Sequence, residues 1–124
     1  MDDLKVTVEE PGAVTRTVTI EVPIGEVEGR FAALLREYRR KAVQPGFRKG
    51  KVPVDVIRRL YWGDITGDVA RALIGDSFDA ALGQAALAPV SEPEFEIVTL
   101  EETQPFTYRA KFEVRPRVEP AGYA

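Results

Sequence analysis

The spacing of apolar residues changes twice along this chain, and these changes constrain the fold more than any other feature of the sequence. Residues 4–9 and 14–22 alternate apolar with polar side chains, the two-residue period of a half-buried strand. Residues 24–43, 53–63 and 66–88 then place apolar side chains at helical spacing. Residues 95–100 and 106–114 return to strand-like composition, the second with clean alternation. This order predicts an α+β domain, an antiparallel four-stranded sheet made of two hairpins with the helices inserted between the hairpins.

Three helices are predicted in the middle of the chain. The first covers residues 24–43 and is stopped by the turn-forming sequence Gln44-Pro45-Gly46. The second starts at Pro53, which suits a first helical position because its missing N–H is not needed there, and ends at Gly63. The third starts after Thr66, a plausible N-cap. The apolar side chains that the second helix is expected to turn inwards are Val54, Ile57, Leu60 and Tyr61.

A single domain is expected from the chain length of 124 residues. We predict that it occupies residues 1–114. Beyond it, residues 115–124 lose the alternation and contain two prolines, which favours an extended linker.

The composition excludes several kinds of chemistry. The chain contains no cysteine and no histidine, so it has no thiol nucleophile, no disulfide and no Ser/His/Asp triad. Adjacent carboxylates occur only at the terminus and in expected turns, where solvation explains them. We therefore predict no catalytic residue, no metal site and no cofactor. No apolar run approaches the roughly 20 residues that span a bilayer, and the N-terminus is acidic, so we expect no membrane partner and a cytoplasmic location.

Charge is distributed unevenly along the chain. The net formal charge is −3, yet residues 36–59 hold nine basic and two acidic residues, so this window carries +7 and the rest of the chain −10. Such a block concentrates positive potential at one place and favours a partner rich in phosphate, most simply an RNA backbone. The usual alternative is that a charge run forms a solvated helix face. The nine basic residues are Arg36, Arg39, Arg40, Lys41, Arg48, Lys49, Lys51, Arg58 and Arg59.

The loop from Gln44 to Pro53, within that window, is the strongest candidate for a functional site. Its two glycines, Gly46 and Gly50, permit positive φ. It also holds an aromatic residue, Phe47, that does not belong to the apolar face of either neighbouring helix. Two cations follow Phe47 directly. Aromatic residues and arginine dominate interface hot spots, and arginine binds carboxylates or phosphates in bidentate fashion. The sequence thus favours a basic docking tip between the first two helices, although Phe47 could instead fill a gap between the helices.

Two nucleotide-related motifs are superficially similar to this loop. A phosphate-binding loop needs four residues between its glycines, a hydroxyl where Val52 stands and a preceding strand, so we exclude it. A KH module clamps a nucleic-acid backbone with G-x-x-G, and here the glycines are one residue further apart. A KH-like RNA-binding module therefore remains the alternative hypothesis.

Residues 46–53 read G-F-R-K-G-K-V-P. This segment resembles the signature of the bacterial trigger factor family, chaperones of the ribosomal exit tunnel, and residues 1 to about 118 resemble that family's N-terminal ribosome-binding domain. The resemblance implies ribosome-binding residues Phe47, Arg48 and Lys49, a supporting loop of Gly46, Gly50, Lys51 and Pro53, and ribosomal RNA contacts by Arg36, Arg39, Arg40 and Lys41. The implied partners are the large-subunit protein numbered twenty-three, nearby ribosomal RNA and nascent polypeptides. The family's prolyl isomerase and chaperone domains do not fit within this chain, so the resemblance implies no enzyme activity for it.

Overall fold

The structure, a computed structural model, describes residues 3–116. It contains strands β1 (Lys5–Glu9) and β2 (Thr15–Val22), helices α1 (Ile24–Lys41) and α2 (Val54–Ala85), and strands β3 (Glu94–Thr99) and β4 (Phe106–Glu113). The strands form one antiparallel sheet in the order β1-β2-β4-β3. The predicted α+β fold with two hairpins is confirmed, and the hairpins join through β2 and β4.

The centre of the sheet follows directly from the alternation in the sequence. Paired residues of β2 and β4 face the helices together, as in the pairs Ile20↔Tyr108 and Val18↔Ala110, and all four are fully buried. Their polar neighbours lie on the opposite face, as the pleat of a strand requires. On the helical side, α1 buries Val27, Phe31 and Leu35, which recur every four residues and so lie on one face of the helix.

The prediction of three helices was wrong, because the structure has two. Gly63 lies inside the single helix α2, which runs for 32 residues. A glycine in a helix costs about 1 kcal/mol relative to alanine but does not by itself break the hydrogen-bond ladder. The predicted N-cap Thr66 instead turns its hydroxyl back and donates to the Gly63 carbonyl oxygen at 3.0 Å. Packing holds the helix on both sides of this point, since Trp62 stacks on Phe31 with ring centroids 5.3 Å apart, and Ile65 is fully buried.

The inward stripe predicted for the start of α2 was only partly right. Ile57 is fully buried, but Val54 and Leu60 remain 40% and 47% exposed. The residues that α2 buries fall on a line of positions four residues apart that starts at Ile57, and Val54 and Leu60 do not lie on this line. The buried positions on this line are Ile57, Ile65, Val69, Leu73, Ser77 and Ala81.

The boundaries around the loop were predicted to within two residues. Helix α1 ends at Lys41, because Ala42 takes an extended conformation. Pro53 is also extended and directly precedes α2, so the helix starts one residue later than expected. The predicted linker lies outside the described residues from position 117 onwards. Among residues 3–116 no helix is long and apolar enough to cross a membrane.

Candidate functional site

Two consecutive turns shape the loop between α1 and α2. The Phe47 N–H donates to the Gln44 carbonyl oxygen at 3.2 Å, and the Lys51 N–H donates to the Arg48 carbonyl oxygen at 2.9 Å. The third residue of each turn is a glycine with positive φ, +88° at Gly46 and +83° at Gly50. These values match the third position of a type II turn, which strongly favours glycine. Both glycines therefore use the positive φ that a glycine permits.

The ends of the loop are anchored to the helices. Val52 is fully buried, and its carbonyl oxygen accepts a hydrogen bond from Arg39 Nε at 2.9 Å. On the other side, Gln44 Nε2 donates to the Tyr61 hydroxyl oxygen at 2.7 Å. Neither the burial of Val52 nor the hydrogen bond of Gln44 was predicted, although a valine among charged residues is itself a signal of burial. These anchors hold the two turns at a fixed place on the helix pair.

The middle of the loop faces solvent. Phe47 is 43% exposed, and Arg48 and Lys49 are exposed beside it. The loop residue that enters the core is Val52, so Phe47 is not the plug between the helices that sequence analysis left open. Within residues 3–116, none of the side chains of Arg48, Lys49 and Lys51 forms a hydrogen bond or an ion pair. The signature side chains are therefore presented together and available for a partner.

The basic window divides into engaged and available cations. Arg39 binds the loop backbone, Lys41 pairs with Glu37 at 2.9 Å, and Arg58 is held by the Glu102 carboxylate. In the described part of the chain the other six form no ion pair, and they are Arg36, Arg40, Arg48, Lys49, Lys51 and Arg59. Of the four helix residues that the resemblance assigned to RNA contacts, Arg36 and Arg40 are thus available without breaking another interaction.

A shallow groove adjoins the loop on the α1 side. Its volume is about 480 Å³, and Leu34, Tyr38, Val43 and Tyr61 contribute its apolar walls. At one edge the Tyr38 hydroxyl donates to Asp68 Oδ2 at 2.6 Å. This bond raises the pKa of Tyr38 to about 12 and lowers the pKa of Asp68, to which Arg71 also contributes. The pair joins the last turns of α1 to the middle of α2.

The site contains no arrangement suited to metal chemistry. Across residues 3–116 no group of three carboxylates lies close enough to hold a metal ion. The loop offers donors and an aromatic ring but no general base. What the geometry can do is bind an anionic or mixed surface.

Comparison with known proteins identifies the family. The model of a family described as bacterial trigger factor protein (TF) matches residues 4–124. The chain belongs to the trigger factor family. It corresponds to the N-terminal domain of trigger factor, as the signature at residues 46–53 predicted.

Individual trigger factors agree with this assignment. The chain is 40% identical over 123 residues to the trigger factor of Magnetococcus marinus, a match that covers 97% of this chain and 27% of that protein. It is 37% identical over 108 residues to the trigger factor of Koribacter versatilis, covering 87% of this chain and 25% of that protein. The chain thus spans about a quarter of the length of the curated relatives it matches.

A solved structure shares the fold. It comes from a study titled "Promiscuous Substrate Recognition in Folding and Assembly Activities of the Trigger Factor Chaperone", with a TM-score of 0.58 and 20% sequence identity. The match covers 93% of this chain and 27% of the trigger factor chain. At this identity the similarity establishes the fold alone.

Proposed function

We propose that this trigger factor domain docks on the large ribosomal subunit at the polypeptide exit tunnel, so that the parent protein can receive nascent chains. The observation that carries the proposal is the presentation of Phe47, Arg48 and Lys49 between two glycine-dependent turns, exposed and free of ion pairs within the described residues. A loop held by two turns and by anchors at both ends loses less conformational entropy on binding than an unstructured segment does.

Each signature side chain has a distinct role in this proposal. Phe47 enters an apolar crevice of the large-subunit protein numbered twenty-three, and Arg48 pairs with an acidic side chain of that protein. Lys49 faces ribosomal RNA phosphate together with Lys51 and the exposed helix residues Arg36 and Arg40. Arg39 acts indirectly, because its hydrogen bond to the Val52 carbonyl oxygen positions the loop.

The proposal concerns docking and assigns no isomerase activity to these residues. The parent protein would then act in the cytoplasm, associated with ribosomes. The uneven charge supports RNA as part of the partner, because phosphate neutralises cations that no carboxylate pairs in the described part of the chain.

Charge reversal at two positions tests the proposal. Arg48→Glu and Arg59→Glu change the net charge equally, and both residues belong to the basic window and are exposed. Docking through a specific protein contact predicts that Arg48→Glu weakens cosedimentation with large subunits about tenfold or more. Arg59→Glu, outside the signature, should weaken it about threefold or less.

The KH-like alternative gives a different result in the same experiment. A clamp on RNA backbone alone predicts only a modest loss for Arg48→Glu, similar on protein-free ribosomal RNA, and this loss should shrink between about 50 and about 200 mM salt. Equal losses for both variants, or normal cosedimentation of Arg48→Glu, would contradict docking through the signature.

A further inference from the structure

Val43 is an apolar side chain that the core of the domain leaves in solvent. It is 73% exposed, more than any other large apolar side chain in residues 3–116, although the preceding residue, Ala42, is buried. A single exposed valine is ordinary, but Val43 forms one wall of the groove beside the loop, together with Tyr38 and Tyr61. The exposed apolar surface is therefore concave and continuous rather than a lone side chain, and such surfaces mark sites of interaction.

The charged side chains that line this groove are paired within the domain. Lys41 Nζ lies 2.9 Å from Glu37 Oε1. Asp68 accepts hydrogen bonds from the Tyr38 hydroxyl and from Arg71. Among the described residues, the groove thus offers no unpaired cation to a phosphate, in contrast to the loop beside it. An uncharged apolar side chain fits these walls best, because burying an unpaired charge against them would cost free energy.

Hydrogen bonds join the groove to the exposed aromatic residue of the signature. Tyr61 accepts a hydrogen bond from Gln44 Nε2 at 2.7 Å, and the Gln44 carbonyl oxygen accepts one from the Phe47 N–H at 3.2 Å. The ends of such a turn lie within about 7 Å, so the Cα atoms of Val43 and Phe47 are at most about 11 Å apart. A specific protein interface covers about 800 Å² on each partner, a patch about 28 Å across. A protein that takes up Phe47 is therefore large enough to extend over the groove.

We propose that the groove takes up an apolar side chain of the same large-subunit protein that accepts Phe47, with Val43 as the main contact. This inference rests on the proposed function, because it presupposes docking through the signature. The two contacts run in opposite directions, since the domain inserts its own Phe47 at one and receives a partner side chain at the other. Together they fix the orientation of the domain on its partner, which one inserted side chain would leave free to rotate.

Matched valine substitutions in the whole chain test the second contact. Val54 is 40% exposed and directly follows the signature, but it does not line the groove. Val43→Ser and Val54→Ser leave the net charge unchanged and replace exposed side chains, so both variants should unfold at similar temperatures. Cosedimentation with large subunits should weaken about fivefold for Val43→Ser and less than about twofold for Val54→Ser. Val43→Ile, which keeps an apolar side chain, should retain binding. Equal losses for the two serine variants, or no loss for Val43→Ser, would overturn the proposal.

Cross-linking identifies the occupant of the groove. A photoreactive diazirine analogue of leucine, close in size to the natural side chain, replaces Val43 or Val54. The labelled chains are irradiated on large subunits that puromycin and high salt have freed of nascent chains. We expect a cross-link to ribosomal protein from position 43 and none from position 54. A cross-link from position 43 to ribosomal RNA or to a second copy of the chain would overturn the assignment of the occupant.

The variant Arg48→Glu separates this proposal from the docking proposal. Weak cosedimentation of Arg48→Glu together with normal cosedimentation of Val43→Ser contradicts only the contact at the groove. Normal cosedimentation of Arg48→Glu contradicts docking through the signature itself.

Discussion

Arg58 lies in the basic window, but its charge is paired with a carboxylate that is distant in sequence. It belongs to the basic window in sequence, but it forms two hydrogen bonds to Glu102, at 2.8 and 2.9 Å, and its guanidinium lies 5.0 Å from the centre of the Trp62 ring. The bond lowers the pKa of Glu102 and raises that of Arg58. Glu102 is one of the adjacent carboxylates, Glu101 and Glu102, that were expected to be solvated in a turn, because nothing local reveals a partner 44 positions away. The Arg58–Trp62 contact, four residues apart on one helix, could have been found.

The bidentate Arg58–Glu102 pair is expected to stabilise the fold. Glu102→Ala should lower the free energy of unfolding at pH 7 by about 0.5–1 kcal/mol, since the pair is bidentate but partly exposed. A carboxylate with a lowered pKa stabilises the fold above its ordinary pKa, and that stabilisation is lost as pH falls through the lowered value. The difference between variant and unmodified chain should therefore shrink in acid, as measured by urea unfolding at several pH values.

Glu96→Ala is the matched control for this prediction. Glu96 forms a single contact with Arg109, at 3.3 Å. The Glu96 side chain is 68% exposed and that of Arg109 is 46% exposed. We expect a change close to zero at any pH. If both substitutions lowered the free energy of unfolding equally, the bidentate Arg58–Glu102 geometry would add nothing to the stability of the fold.

The strands were predictable from the sequence, but the continuity of helix α2 was not. The alternation in residues 14–22 and 106–114 reports burial of one face, and the structure places β2 and β4 there. Gly63 and Thr66 are local signals of a helix end that tertiary packing of Trp62 and Ile65 overrides. Likewise, the glycines of the loop predicted its turns, whereas the anchoring of Val52 by Arg39 depends on how two helices meet.

The continuous helix predicts a stabilising substitution. Gly63 has ordinary helical backbone, and a Cβ placed there meets no atom within 4 Å. Gly63→Ala should raise the free energy of unfolding by about 0.5–1 kcal/mol, measured by urea denaturation. Gly46→Ala should lower it by about 1 kcal/mol, because Gly46 has a φ of +88°. A loss of stability in Gly63→Ala would indicate that the helix is interrupted there.

For the whole molecule, the buried Tyr108 links stability to alkaline pH. Burial raises the pKa of Tyr108 from its ordinary value of 10.0 to about 12, and its hydroxyl lies 2.7 Å from Ser77 Oγ. Between these values the unfolded chain releases a proton that the folded chain keeps, so the free energy of unfolding falls as pH rises from 10 to 12. Urea unfolding of Tyr108→Phe should show a smaller fall over this interval. An identical fall in both proteins would contradict the assignment to Tyr108.

Cosedimentation of the chain with large ribosomal subunits can decide whether the loop between α1 and α2 is the docking surface that we propose for this trigger factor domain. The comparison is between the unmodified chain and the variant Phe47→Ala/Arg48→Ala/Lys49→Ala, whose changes touch only exposed side chains of the loop. Both should give the same circular dichroism, because the anchors Val52 and Gln44 are retained. We expect the unmodified chain to pellet with the subunits and the variant to stay in the supernatant. Pelleting of the variant to the same extent as the unmodified chain would show that these side chains do not dock the domain.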